Sequence, residues 1–74
     1  APRWTTYETD RDGRPTVRVW RLPRLTHPGI VVWHEKGTYS VLRHHRGSRD
    51  TFNNTGFVFK TVRELRKHLR DDYS

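Results

Sequence analysis

The sequence predicts an α+β fold: a small antiparallel β-sheet, built of two hairpins and a short strand, with one C-terminal α-helix packed on one face. Three observations carry this expectation. Extended, β-branched and aromatic segments occupy the first two thirds of the chain, and one amphipathic segment follows them. Asp12-Gly13 and Lys36-Gly37 stand between pairs of those segments, where tight hairpin turns belong. Val62, Leu65 and Leu69 then fall at i, i+3 and i+7, which places them on one face of a helix.

The elements follow in order. Trp4 to Thr9 is expected as the first strand, and Pro15 to Leu22 as its return. With Asp12 and Gly13 as a two-residue loop, Tyr7 faces Arg18, and Tyr7, Arg18 and Trp20 share one face while Val17 and Val19 take the other. Pro23 ends that strand, and Thr26-His27-Pro28-Gly29 forms a connecting turn. Ile30 to Glu35 is the most apolar strand, and it turns through Lys36-Gly37 into Thr38 to His44. In that register His34 faces Tyr39, Val32 faces Val41 and Ile30 faces Arg43, with Val31, Trp33 and Leu42 opposite. His45 to Asn54 is polar and rich in turn formers, hence a loop anchored by Phe52. Phe57 to Phe59 forms the short last strand. Thr61 caps the helix, Glu64 completes a capping box, and residues 71–74 make an exposed tail. An isolated helix of about ten residues is marginal in water, so Val62, Leu65 and Leu69 must be covered by the sheet.

At 74 residues the chain is expected to be one domain. Within it, residues 1–29 form an N-terminal hairpin, 30–70 a hairpin-strand-helix unit, and 71–74 the tail. The absence of cysteine excludes disulfides and thiolate metal sites. No apolar run approaches the ~20 residues of a membrane-spanning helix, and APRWTTYETD lacks the apolar core of a signal peptide. A cytoplasmic protein is therefore expected, in the host cytoplasm if the chain is phage-encoded.

The formal net charge is +7 and the sequence pI about 10.8, which favours polyanionic partners, nucleic acid first. The excess is spread along the chain, so a basic patch has to be assembled by folding. A catalytic reading finds little support. His44 and His45 point to opposite faces of a strand, and no carboxylate stands at ligand spacing, so no metal or cofactor is expected. His44, His45, Arg46, Arg49 and Asp50 have the residue types of a small ribonuclease without its pattern. No phosphate-cradling glycine loop or nucleophile elbow is present, and the chain is not expected to be an enzyme.

A nucleic-acid-binding site needs cations for phosphate and planar side chains for bases. Arg18, Lys36, Arg43, Arg46 and Arg49 are the candidate phosphate contacts, with Trp33 and Tyr39 beside them on strands. Residues 30–70, through WHEKGTYSVLR and Phe59-Lys60-Thr61-Val62-Arg63-Glu64, resemble the three-stranded-sheet-plus-helix DNA-binding domains of the plant AP2 type and the arm-binding domains of phage and transposon integrases. The resemblance implies a sheet lying in the DNA major groove, with Trp33, Lys36, Tyr39 and Arg43 on its outer face. Leu65 stands where that family usually has Ala, and residues 1–29 have no counterpart in it. The expected function is a small, basic, non-catalytic nucleic-acid-binding module, DNA ahead of RNA, serving a phage or mobile element as a regulatory or accessory factor. The alternative is a small phage-type protein that binds and modulates a host protein, with Trp4, Trp20 or Phe52 as interface anchors. A contiguous Arg stripe on the sheet would favour nucleic acid. An apolar patch ringed by Arg would favour protein.

Overall fold

The Lys36-Gly37 turn and the capped start of the helix take their expected places in a computed structural model, which describes residues 2–23, 25–45 and 51–73. One five-stranded antiparallel sheet has the order β1-β2-β3-β4-β5, with β1 Thr5–Thr9, β2 Pro15–Arg21, β3 Ile30–Glu35, β4 Thr38–His44 and β5 Phe52–Phe59. Helix α1, Val62–Tyr73, closes the chain. The N-terminal hairpin and the hairpin-strand-helix unit therefore share one sheet through the β2–β3 ladder.

The β3–β4 hairpin has the expected register, with Ile30 opposite Arg43, Val32 opposite Val41 and His34 opposite Tyr39. Its turn places Lys36 at φ 49° and Gly37 at φ 76°, the pair of left-handed residues of a type I′ turn. Glycine adopts this backbone freely, whereas a lysine does so at a cost. Ile30, Val32 and Val41 pack with Leu22, Leu65 and Leu69 beneath the helix, flanked by Trp20, Tyr39, Phe59 and Trp4. Val32, Val41 and Leu65 are completely enclosed. Helix α1 thus seats on Val32 and Val41, with Phe59 beside them and His68 packed on Phe57 and Phe59. The cap also forms: the Glu64 backbone N–H donates to Thr61 Oγ1 at 3.2 Å, and the Thr61 hydroxyl lies 3.2 Å from Glu64 Oε1.

Three local expectations are corrected. The first hairpin turns through Arg11-Asp12-Gly13 rather than two residues, closed by Asp10 N–H to the Arg14 carbonyl at 2.9 Å. The Asp10 carboxylate accepts from the backbone N–H groups of Asp12 and Arg14, each at 2.9 Å, and so stabilises the wider turn. The register consequently shifts, Thr6 opposing Arg18 and Glu8 opposing Val17, with Tyr7 in the irregularity between them. Tyr7 then leaves the Trp20 face and meets Trp33 edge-on, with ring centroids 5.0 Å apart. Second, β5 starts at Phe52, so Phe52 to Asn54 are strand rather than loop. A bulge at Thr55-Gly56-Phe57 hides this from alternation, because Ser40 opposes Val58 while Leu42 opposes Asn54. Gly56, at φ 90°, makes the bend, and Thr55 Oγ1 donates to the Val41 carbonyl at 2.7 Å, supplying a bond the bulge removes from the ladder. Third, the helix continues through Asp71, Asp72 and Tyr73, which were expected as tail. His68, buried against Phe57 and Phe59, lies 2.6 Å from Asp72 through Nδ1 and ties that last turn down.

Replacing Leu65 by Ala should cost about 2–5 kcal/mol, because the side chain is wholly buried against β-strands that cannot collapse into the void. In a domain of this size that corresponds to a fall in Tm of roughly 8 °C or more, read by thermal unfolding followed by circular dichroism. Lys36→Asn should stabilise the protein by about 0.5–1 kcal/mol, because Asn tolerates the left-handed conformation better. A Tm unchanged or lowered in that variant would show that Lys36 makes a compensating contact.

Candidate functional site: a cationic helix side and an apolar open face

Alternation along the strands divides the expected site residues between the two faces of the sheet. Arg18, opposite His34, and Arg43, opposite Ile30, lie on the face that α1 occupies. Tyr39 lies on that face too, stacked on His34 with centroids 4.1 Å apart and planes at 3°. Trp33 points to the opposite, open face, where its indole N–H donates to Glu35 Oε1 at 3.1 Å. Lys36 stands at the exposed hairpin tip. Trp33, Tyr39 and Arg43 therefore cannot form one outer binding face, because odd-numbered neighbours in β3 and β4 are out of phase across the two-residue turn. Arg46 and Arg49, with Asp50, lie outside the described residues.

The open face, through which a nucleic-acid contact was expected, is apolar rather than cationic. Val17, Val19 and Val31 are buried on it beneath the half-buried Trp33 and Phe52. Tyr7 and Val58 are half exposed there, and Arg21 and Glu35 are the charges that alternation places among them from β2 and β3. No Arg stripe runs along this face among the described residues.

The helix side is different. Arg63, Arg66, Lys67 and Arg70 are exposed on α1, and exposed Arg18 and Arg43 stand on the strand face beside it. Among the described residues, Arg70 is the one Lys or Arg in a side-chain ion pair, with Asp71 at 3.3 Å. The helical pitch sets the order of the α1 cations. Arg66 stands nearest the buried Leu69, and Arg70, Arg63 and Lys67 lie progressively further round toward solvent. The helix side thus presents six exposed cations drawn from separate parts of the sequence, with the exposed acids Glu64, Asp71 and Asp72 beside them on α1.

Trp4 and Trp20, considered as protein-interface anchors, are half-buried instead in an aromatic group beside the helix. The Trp4 ring centroid lies 5.9 Å from Trp20, 5.5 Å from His34 and 5.8 Å from Tyr39. Phe52 packs on the open-face cluster and lies 4.7 Å from the His44 ring. His34 Nδ1 lies 3.0 Å from the Thr38 carbonyl, and His27 Nε2 lies 3.0 Å from the Leu69 carbonyl. These two histidines thus serve the fold. Among the described residues no three His, Asp or Glu side chains gather as a metal site would require. No helix among them is long and apolar enough to cross a membrane.

One feature escaped the sequence altogether: a groove between the β2–β3 connection and α1. It has a volume of about 650 Å³ and is lined by Trp20, Leu22, Leu25, Leu69, Arg66 and Arg70 among others. An apolar Leu25 inside a Pro-flanked turn was its one sequence signal. No family model, curated protein or solved structure matches the chain.

Trp4→Ala should lower stability by about 1–3 kcal/mol, since it removes three ring contacts from a half-buried cluster. Near-ultraviolet circular dichroism should weaken with it. Stability unchanged by this substitution would return Trp4 to the candidate interface residues.

Proposed function

We propose that this chain is a small, basic, non-catalytic nucleic-acid-binding module, with DNA ahead of RNA, acting as a regulatory or accessory factor of a phage or mobile element. The carrying observation is the group of exposed cations on the helix side, Arg18, Arg43, Arg63 and Lys67, none of which has an ion pair among the described residues. A phosphate backbone fits such a surface, because each contact releases condensed counterions and needs no enclosed pocket. The resemblance of residues 30–70 to sheet-and-helix DNA-binding domains supports duplex DNA as the first polymer to test. The cationic residues favour contact through the helix side, and Trp33 is not part of it.

A second reading, a protein that binds and modulates a host protein, is favoured by a different observation. Tyr7, Trp33, Phe52 and Val58 form an apolar surface on the face opposite the helix, and aromatic anchors of this kind dominate protein interfaces.

Titration of the purified protein against labelled duplex DNA and single-stranded RNA, across a salt series, tests the first reading. With about four phosphates neutralised, affinity for duplex should fall roughly a hundredfold between about 50 and about 200 mM salt. Replacing Arg63 and Lys67 by Ala should weaken binding and flatten the slope of log affinity against log salt by about two. Absence of binding to either polymer at ~50 mM salt would overturn this reading and turn the search to a protein partner.

A further inference from the structure

We infer that the groove between the β2–β3 connection and α1 is a docking site for a short acidic segment of a partner protein carrying apolar anchor residues. The floor is apolar, made by Trp20, Leu22 and Leu69. Leu25 stands at the groove with 99% of its surface in water. A large aliphatic side chain held fully in solvent contributes nothing to folding, and gains only when something covers it. Arg66 and Arg70, one helical turn apart, edge the groove along α1. Arg66 has no ion pair or hydrogen bond among the described residues.

The charge pattern selects the occupant. Apolar anchors would displace water from Trp20, Leu22, Leu25 and Leu69, while carboxylates beside them would meet the guanidinium groups at the rim. A basic or neutral segment would bury the same apolar surface and leave Arg66 without a counter-charge, which is how a site rejects a wrong partner. The groove is open to solvent, so a segment of a larger protein can reach it without entering an enclosed cavity.

The groove wall is also preorganised. Thr26 and His27 backbone N–H groups donate to the Pro23 carbonyl at 3.3 and 2.9 Å, and the Ile30 N–H donates to the His27 carbonyl at 3.2 Å. His27 Nε2 at 3.0 Å from the Leu69 carbonyl fastens this connection to the helix. Little ordering entropy therefore remains to be lost from the protein on binding, which raises the affinity a small contact can reach. The site does not rest on the nucleic-acid reading, because Arg66 and Arg70 line the groove and Arg63 and Lys67 do not.

The test uses the full chain, isotope-labelled for NMR, and a fluorescein-labelled peptide of roughly ten residues that combines Leu and Phe with Asp and Glu. The control is the same peptide with Lys at every acidic position. The acidic peptide should shift the amides of Leu22, Leu25, Leu69 and Arg66 and the Trp20 indole, with the control peptide inactive. Leu25→Ser, at a site too exposed to affect folding, should weaken binding about tenfold, and Arg66→Glu should do at least as much. Arg63→Ala with Lys67→Ala should leave the peptide Kd within about threefold. The inference is overturned by any of four results. These are no shift at ~1 mM peptide, equal affinity for the Lys peptide, shifts centred on Trp33 and Val58, or full affinity in Leu25→Ser. Decanoate occupying the groove while the acidic peptide leaves it untouched would also overturn it, and assign the site to a small amphiphile.

Discussion

The contact of Leu65 with Val32 and Val41 is the interaction on which the rest of the molecule depends. All three side chains are excluded from water, and they join the centre of the sheet to the middle of the only helix among the described residues. A domain of 74 residues buries a modest fraction of its apolar surface, so few such contacts exist to offset chain entropy. Ile30, Leu22 and Leu69 extend the contact to one end, and Phe59 with Trp20 and Tyr39 toward the other. Because β3 also buries Val31 on its reverse side, the central hairpin is apolar on both faces and organises two clusters at once.

That double burial has a functional consequence. One face of the sheet takes the helix, and on the other Val17, Val19 and Val31 are buried beneath Trp33 and Phe52, which themselves stay half exposed. Apolar demand on the open face leaves little room there for cations. Six cations lie instead on the solvent side of α1 and on the helix-bearing face: Arg63, Arg66, Lys67 and Arg70, with Arg18 and Arg43. A sheet-reading mode of DNA recognition, which the resemblance implied, would need the reverse distribution. The proposed polyanion contact therefore belongs to the helix side, and the apolar groove beside Leu69 is a separate feature edged by the same helix.

The misread places share a cause. Alternation and loop length report only regular ladders, and two ladders here are irregular. Asp10 widens the first turn by accepting two backbone N–H groups, and this moves Tyr7 from the Trp20 face to the Trp33 face. The Thr55-Gly56 bulge likewise concealed three strand residues inside a polar segment. In both cases one side-chain oxygen bonded to the backbone redirects a strand, a short-range effect that periodicity does not report. The grouping of Trp33 with Tyr39 and Arg43 failed for another reason: adjacency in sequence was allowed to outweigh the alternation that the Lys36-Gly37 turn imposes.

By itself the sequence determined the α+β class, the element order, the β3–β4 register and the face of α1 that is buried. These follow from local rules: Gly and Asp at turns, a Thr-Glu cap, and apolar spacing of two or of three to four residues. It also determined the net charge, which depends on composition alone. Which cations share a side was decided by the tertiary structure, because Arg18, Arg43 and Arg63 come to the helix side only when β2, β4 and α1 are laid together. The groove at Leu25 was decided there too. Its walls come from β2, the turn after it and a helix some forty residues later, and apolar burial at Leu65 and Leu69 is what brings them together.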